Sequence, residues 1–109
     1  MSMLKAPTPE LSERIMRPVN VNDYVLAFRL NGRSRVGGRL FTVPQVHAFL
    51  SADDACLDAD ELVQWVAGPV GDGELAEAIA TAYESCSTGY ERMQAARALI
   101  GERLVQVRG

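Results

Sequence analysis

Residues 24–43 read Tyr24-Val25-Leu26-Ala27-Phe28-Arg29-Leu30-Asn31-Gly32-Arg33-Ser34-Arg35-Val36-Gly37-Gly38-Arg39-Leu40-Phe41-Thr42-Val43. This stretch decides between an all-helical chain and a mixed one. Tyr24, Leu26, Phe28 and Leu30 alternate with Val25, Ala27 and Arg29, the period of two that a half-buried strand requires. Asn31-Gly32 is a strong turn signal, so Val36 to Val43 is expected to return as the second strand of a hairpin spanning about residues 19–43. A two-residue loop at Asn31-Gly32 sets Arg35 opposite Phe28. A three-residue loop, Asn31-Gly32-Arg33, pairs Arg29 with Arg35 and Phe28 with Val36. The second register sorts Tyr24, Leu26, Phe28, Leu30, Val36 and Leu40 onto one face, with Arg29, Arg35 and Arg39 on the other. Slipping by one residue flips every side chain, so the sorted register is the expected one. Gly37-Gly38 marks a bulge or a close backbone approach.

Outward from the hairpin the period changes to that of helices. Thr8-Pro9-Glu10 is a helix start, with Thr8 as cap, and Pro18 forbids continuation. Residues 1–7 ahead of it are expected to form a flexible tail, leaving 8–109 as a single domain. Pro44 opens a helix over about 44–51 carrying Val46, Phe49 and Leu50, and residues 51–56 are expected to be loop. Asp58, with Glu61 three positions on, caps a helix over about 58–67, which buries Leu62, Trp65 and Val66 and stops at Gly68-Pro69. Asp72 caps a helix over about 73–86 with Leu75, Ile79, Ala82, Tyr83 and Cys86 on one face. Thr88-Gly89-Tyr90-Glu91 is another capping box, and Met93, Ala96 and Ile100 line a last helix over about 89–101. Two endings fit the spacing: a stop at Gly101 followed by a short strand over Leu104 to Val107, or a helix running on to Val107. The pattern defines an α+β fold, a β-hairpin packed on a small bundle of three to five short helices, winged-helix-like.

Length and composition bound the function. The 109 residues fit one domain, and 48% hydrophobic with 23% charged residues is ordinary globular composition. No apolar run approaches the roughly 20 residues of a membrane helix. Met1 to Pro7 carries one basic residue and no apolar stretch, so no secretory signal is expected. Cys56 and Cys86 lack metal or redox spacing and are expected as reduced, buried thiols; the cytoplasm is the expected compartment. A net charge of −3 argues against strong nonspecific binding to nucleic acid.

Charge is nonetheless unevenly placed. Arg29, Arg33, Arg35 and Arg39 crowd the hairpin, and Asp53, Asp54, Asp58, Asp60 and Glu61 follow it. The guanidinium groups could grip phosphates or an acidic peptide. A solvated outer face, or pairing with the acidic segment, is the readier account of them, and a surface split by charge could also join two copies. The acidic segment lacks the ligand spacing and central glycine of an EF-hand. His47 is the one histidine, and a metal site needs several converging ligands; a His47–Cys56 base and nucleophile pair has no supporting spacing. Gly68 to Gly73 precedes a helix but lacks a phosphate loop's Lys and Ser/Thr. Neither cofactor nor metal is expected, and no catalytic constellation assembles.

The order of hairpin, three helices and short apolar end is similar to that of PqqD-like proteins, the winged-helix leader-peptide recognition elements. The likeness covers about residues 24–107. It rests on Tyr24-Val25-Leu26-Ala27-Phe28 returning through Leu40, on Leu62-Val63-Gln64-Trp65-Val66-Ala67-Gly68 followed by Glu74-Leu75-Ala76-Glu77-Ala78-Ile79, and on Ala98-Leu99-Ile100-Gly101-Glu102-Arg103-Leu104-Val105. The segment Pro44 to Leu57 and the helix before the hairpin are additions to that pattern. The resemblance implies a non-catalytic accessory protein whose peptide or protein partner adds a strand to the hairpin edge and packs on the last helix. Arg29, Arg33, Arg35 and Arg39, with Arg92 and Arg97 of the last helix, are then the partner-binding residues, suited to an acidic partner. The competing classes are a DNA-binding regulator and a homo-oligomeric structural accessory. DNA binding fits less well, because the 73–86 helix carries Glu74, Glu77 and Glu84 and no basic residue. Arg92, Arg97 and Arg103 make the last helix its better candidate.

Overall fold

The computed structural model describes residues 4–31, 34–51 and 55–108, with the side chains of 29–31 and 34–37 outside the described set. The elements are α1 (Pro9–Met16), β1 (Val25–Asn31), β2 (Ser34–Leu40), α2 (Val43–Leu50), β3 (Ala55–Cys56), α3 (Ala59–Trp65), a π-helical turn (Val66–Val70), α4 (Gly73–Tyr83) and α5 (Gly89–Arg108). The chain is α+β. A three-stranded antiparallel sheet in the order β2-β1-β3 joins the five helices.

Local chemistry sets most boundaries. Thr8 accepts the Leu11 N–H at 3.2 Å and Pro9 takes the first helical position of α1. At α2, Thr42 Oγ1 accepts from Gln45 N at 3.1 Å while Gln45 Oε1 accepts from Thr42 N at 3.2 Å, a reciprocal cap that starts the helix one residue before Pro44. Asp58 accepts from the Asp60 and Glu61 amides, and Asp72 from Leu75 N. Thr88 accepts from Glu91 N at the start of α5.

Four expectations are corrected. The hairpin register pairs Asn31 with Ser34, Leu30 with Arg35, Arg29 with Val36 and Phe28 with Gly37. Neither register considered from sequence is the observed one. In this register Val25 and Ala27 are the buried side of β1, while Leu26, opposite Arg39, is 38% exposed. Arg29 therefore does not pair with Arg35, and the expected sorting of apolar from basic side chains does not form among the described residues. Second, Gly68-Pro69 does not stop the chain's coiling. The π-helical turn carries it on to Gly71, whose φ of 82° makes the left-handed exit. Third, of the two endings open from sequence the helical one forms: α5 runs unbroken to Arg108 and no strand forms over Leu104 to Val107; Gly101 is interior, and a β-carbon there would lie 2.9 Å from His47 Nε2 of α2. Its absence lets the two helices approach. Fourth, Ala55 and Cys56, expected as loop, pair with Arg29 and Phe28 as β3.

The core is continuous from Leu4 through Ile15, Val25, Val46, Leu62, Trp65, Leu75, Ile79, Ile100 and Leu104. α5 supplies its spine, packing on α4 and α2 and more lightly on α1 and α3. Trp65 donates its indole N–H to the Asp23 carbonyl at 2.7 Å, fixing the end of α3 to the entrance of β1. Leu4, placed by sequence in a flexible tail, is buried.

Candidate functional site

Of the six arginines named from sequence, the structure describes the side chains of three, Arg39, Arg92 and Arg97. Arg33 lies outside the described residues, and the side chains of Arg29 and Arg35 do as well. Arg39 is exposed on β2, its guanidinium 4.8 Å above the Tyr24 ring, which in turn meets Phe41 edge-on at 6.1 Å. Arg92 stands over the Tyr83 ring at 5.9 Å. Arg97 reaches Gln94 on its own helix and lines a groove with His47, Gly101 and Val105. Arg39, Arg92 and Arg97 thus occupy three separate places.

A groove of about 580 Å³ lies between β3, an edge strand of the sheet, and the first turns of α5. Its walls are Ala55, Cys56 and Leu57 from the strand, Asp58 and Asp60 from the cap of α3, and Tyr90, Arg92 and Met93 from α5. Tyr90 is 61% exposed and Cys56 is exposed, contrary to the buried thiol expected there. Tyr83 backs this corner. Its hydroxyl donates to the Ala59 carbonyl at 3.2 Å, and burial, with the Asp60 charge second, pushes its phenol up to about 12. Sequence reasoning named Arg92 here but missed Tyr90, whose signal was an aromatic standing off the Met93, Ala96, Ile100 stripe.

Arg103, offered by sequence for the outward face of the last helix, is buried instead, 1% exposed. All five of its N–H donors are taken. Nε and Nη2 reach the two Asp72 carboxylate oxygens at 2.8 and 3.3 Å. Nη2 also meets Glu74 Oε1 at 2.9 Å, and Nη1 donates to the Lys5 carbonyl at 2.6 Å and to Gln106 Oε1 at 2.8 Å. That hydrogen bond from Arg103 is the first cause holding the Glu74 carboxyl below its usual range. Asp72 is equally buried, capping α4 while it pairs with Arg103. With its donors satisfied inside the chain, Arg103 is not on the outward face of α5.

His47 lines the α2–α5 groove and Cys56 the β3–α5 one, so the two do not form a nucleophile and base. Burial first, then the charges of Arg97 and Arg108, lower the His47 pKa from its ordinary value. Among the described residues no cluster of His, Cys, Asp or Glu has metal-ligating geometry. Among them, too, no helix is long and apolar enough to cross a membrane. Asp53 and Asp54 of the acidic run lie outside the described residues. Comparison with family models, curated proteins and solved structures finds no match for this chain.

Proposed function

We propose that this chain is a non-catalytic binding module that takes an extended peptide or protein segment along the edge of its small sheet, beside the C-terminal helix. The observation that supports it is the groove in which an edge strand, β3, and the first turns of α5 face a common space. An edge strand offers unpaired main-chain donors and acceptors to an added strand. Tyr90 supplies a rigid amphipathic surface and Arg92 a planar cation, the residue types that anchor interfaces. On this reading the partner lies along β3, whereas the sequence reading had it at the hairpin edge with Arg35 and Arg39. Arg39, exposed beside Tyr24 on β2, belongs to a second rim.

The test is selection from a displayed library of linear peptides, followed by amide shift mapping on the full chain. Selected peptides are expected to perturb Ala55, Cys56, Tyr90 and Arg92. Tyr90→Ala or Arg92→Glu should weaken binding about tenfold or more and leave the Tm within about 3 °C of the parent. Peptides that map to β2 and respond to Arg39→Glu would move the site to the hairpin. No enrichment at either rim would end the peptide reading.

A further inference from the structure

We infer that the seam between the start of α4 and the end of α5 is a second peptide-recognition cleft, one that this chain fills with its own residues Leu4 and Lys5. Three side chains read the backbone of those two consecutive residues. Gln106 Nε2 donates to the Leu4 carbonyl at 2.8 Å, Arg103 Nη1 donates to the Lys5 carbonyl at 2.6 Å, and Glu74 Oε1 accepts the Lys5 N–H at 2.8 Å. Leu4 enters the core, 4% exposed. The readers are held independently of the strap, because Arg103 is fixed by Asp72, Glu74 and Gln106. The site is thus preorganised, and side chains that bond to main chain accept any sequence of suitable shape.

The occupant defines the ligand. It is an extended segment with an apolar anchor followed by a residue with a free N–H, so proline is excluded at the second position. Residues 6–8 tether the strap to α1, which gives it an effective concentration on the order of millimolar. An external peptide of this kind competes against that tether. The site lies at the opposite end of α5 from Tyr90 and does not depend on the groove at β3.

The test uses the full chain carrying Leu4→Asp, which dislodges the strap and leaves Gln106, Arg103 and Glu74 in place. The probe is a synthetic peptide of residues 2–8 with blocked ends. Leu4→Asp should lower the Tm by roughly 5–15 °C, and the peptide should bind saturably and recover at least half of that loss. The parent chain should bind it at least tenfold more weakly. Peptides carrying Leu4→Asp or Lys5→Pro should not bind. If Leu4→Asp does not fold, Lys5→Pro in the full chain, which keeps the Leu4 anchor but removes the Lys5 N–H and side chain and fixes the backbone φ there, takes its place. Absence of saturable binding, or equal binding of the Lys5→Pro peptide, overturns the proposal. A parent dimer that Leu4→Asp abolishes would identify the occupant as a second copy's strap and overturn the external peptide.

Discussion

Tyr83 carries the clearest ionisation consequence of burial. Its phenol is raised from 10 to about 12 by desolvation, so the folded chain holds that proton more tightly than the unfolded one. The contribution is complete below pH 10 and is lost as pH rises from 10 through 12. Tyr83→Phe should cost about 0.5–1.5 kcal/mol near neutrality, for the hydroxyl bond to Ala59. Urea unfolding at pH 8 and at pH 11.5 should then show the parent and variant curves converging at the higher pH. An unchanged gap would mean that Tyr83 titrates alike in both states. Helical spacing made Trp65, Tyr83, Met93 and Ile100 legible as core, and all four are buried. Arg103 follows the same stripe, three residues after Ile100. Its charge suggested an outward position instead, and nothing in sequence links it to Asp72.

Between the strands, sequence gave the hairpin but not its register. β1 is apolar on both sides, so alternation alone does not choose a face. Sorting by arginine broke the tie in favour of the bulkier set. The helices instead receive the smaller Val25 and Ala27, leaving Leu26 on the outer side. Val25→Ala should therefore cost about 1.5–3 kcal/mol and Leu26→Ala less than about 1 kcal/mol, measured by chemical unfolding. The reverse order would restore the register expected from sequence. Helix starts were legible because capping is chemistry local to a few residues: Thr8, Asp58, Asp72 and Thr88 all cap as expected. Helix ends were less so: Pro18 ends α1 as expected, whereas Gly68 and Gly101 look like stops and are not, and Gly101 sits where His47 of α2 approaches it, a contact 54 residues away in sequence.

Across the whole molecule, Arg103 joins the N-terminal strap, the cap of α4 and the last turns of α5. Arg103→Met strands the buried Asp72 carboxylate, and removing one partner of such a pair costs about 3–5 kcal/mol. Against a total of about 5–15 kcal/mol, this is a large share of the stability. A calorimetric scan should show the transition more than about 10 °C lower; a change within about 2 °C would mean that the charge is dispensable.

The rims of the sheet carry a last consequence. β3 is two residues long, and the other rim, β2, carries arginines at positions 35 and 39. A short border can pair one segment that is also anchored by side chains, as proposed at β3, but short or cationic borders are poor templates for the open-ended stacking of strands from many chains. Concentrated solutions of this protein should accordingly resist fibre growth, even though half its residues are apolar.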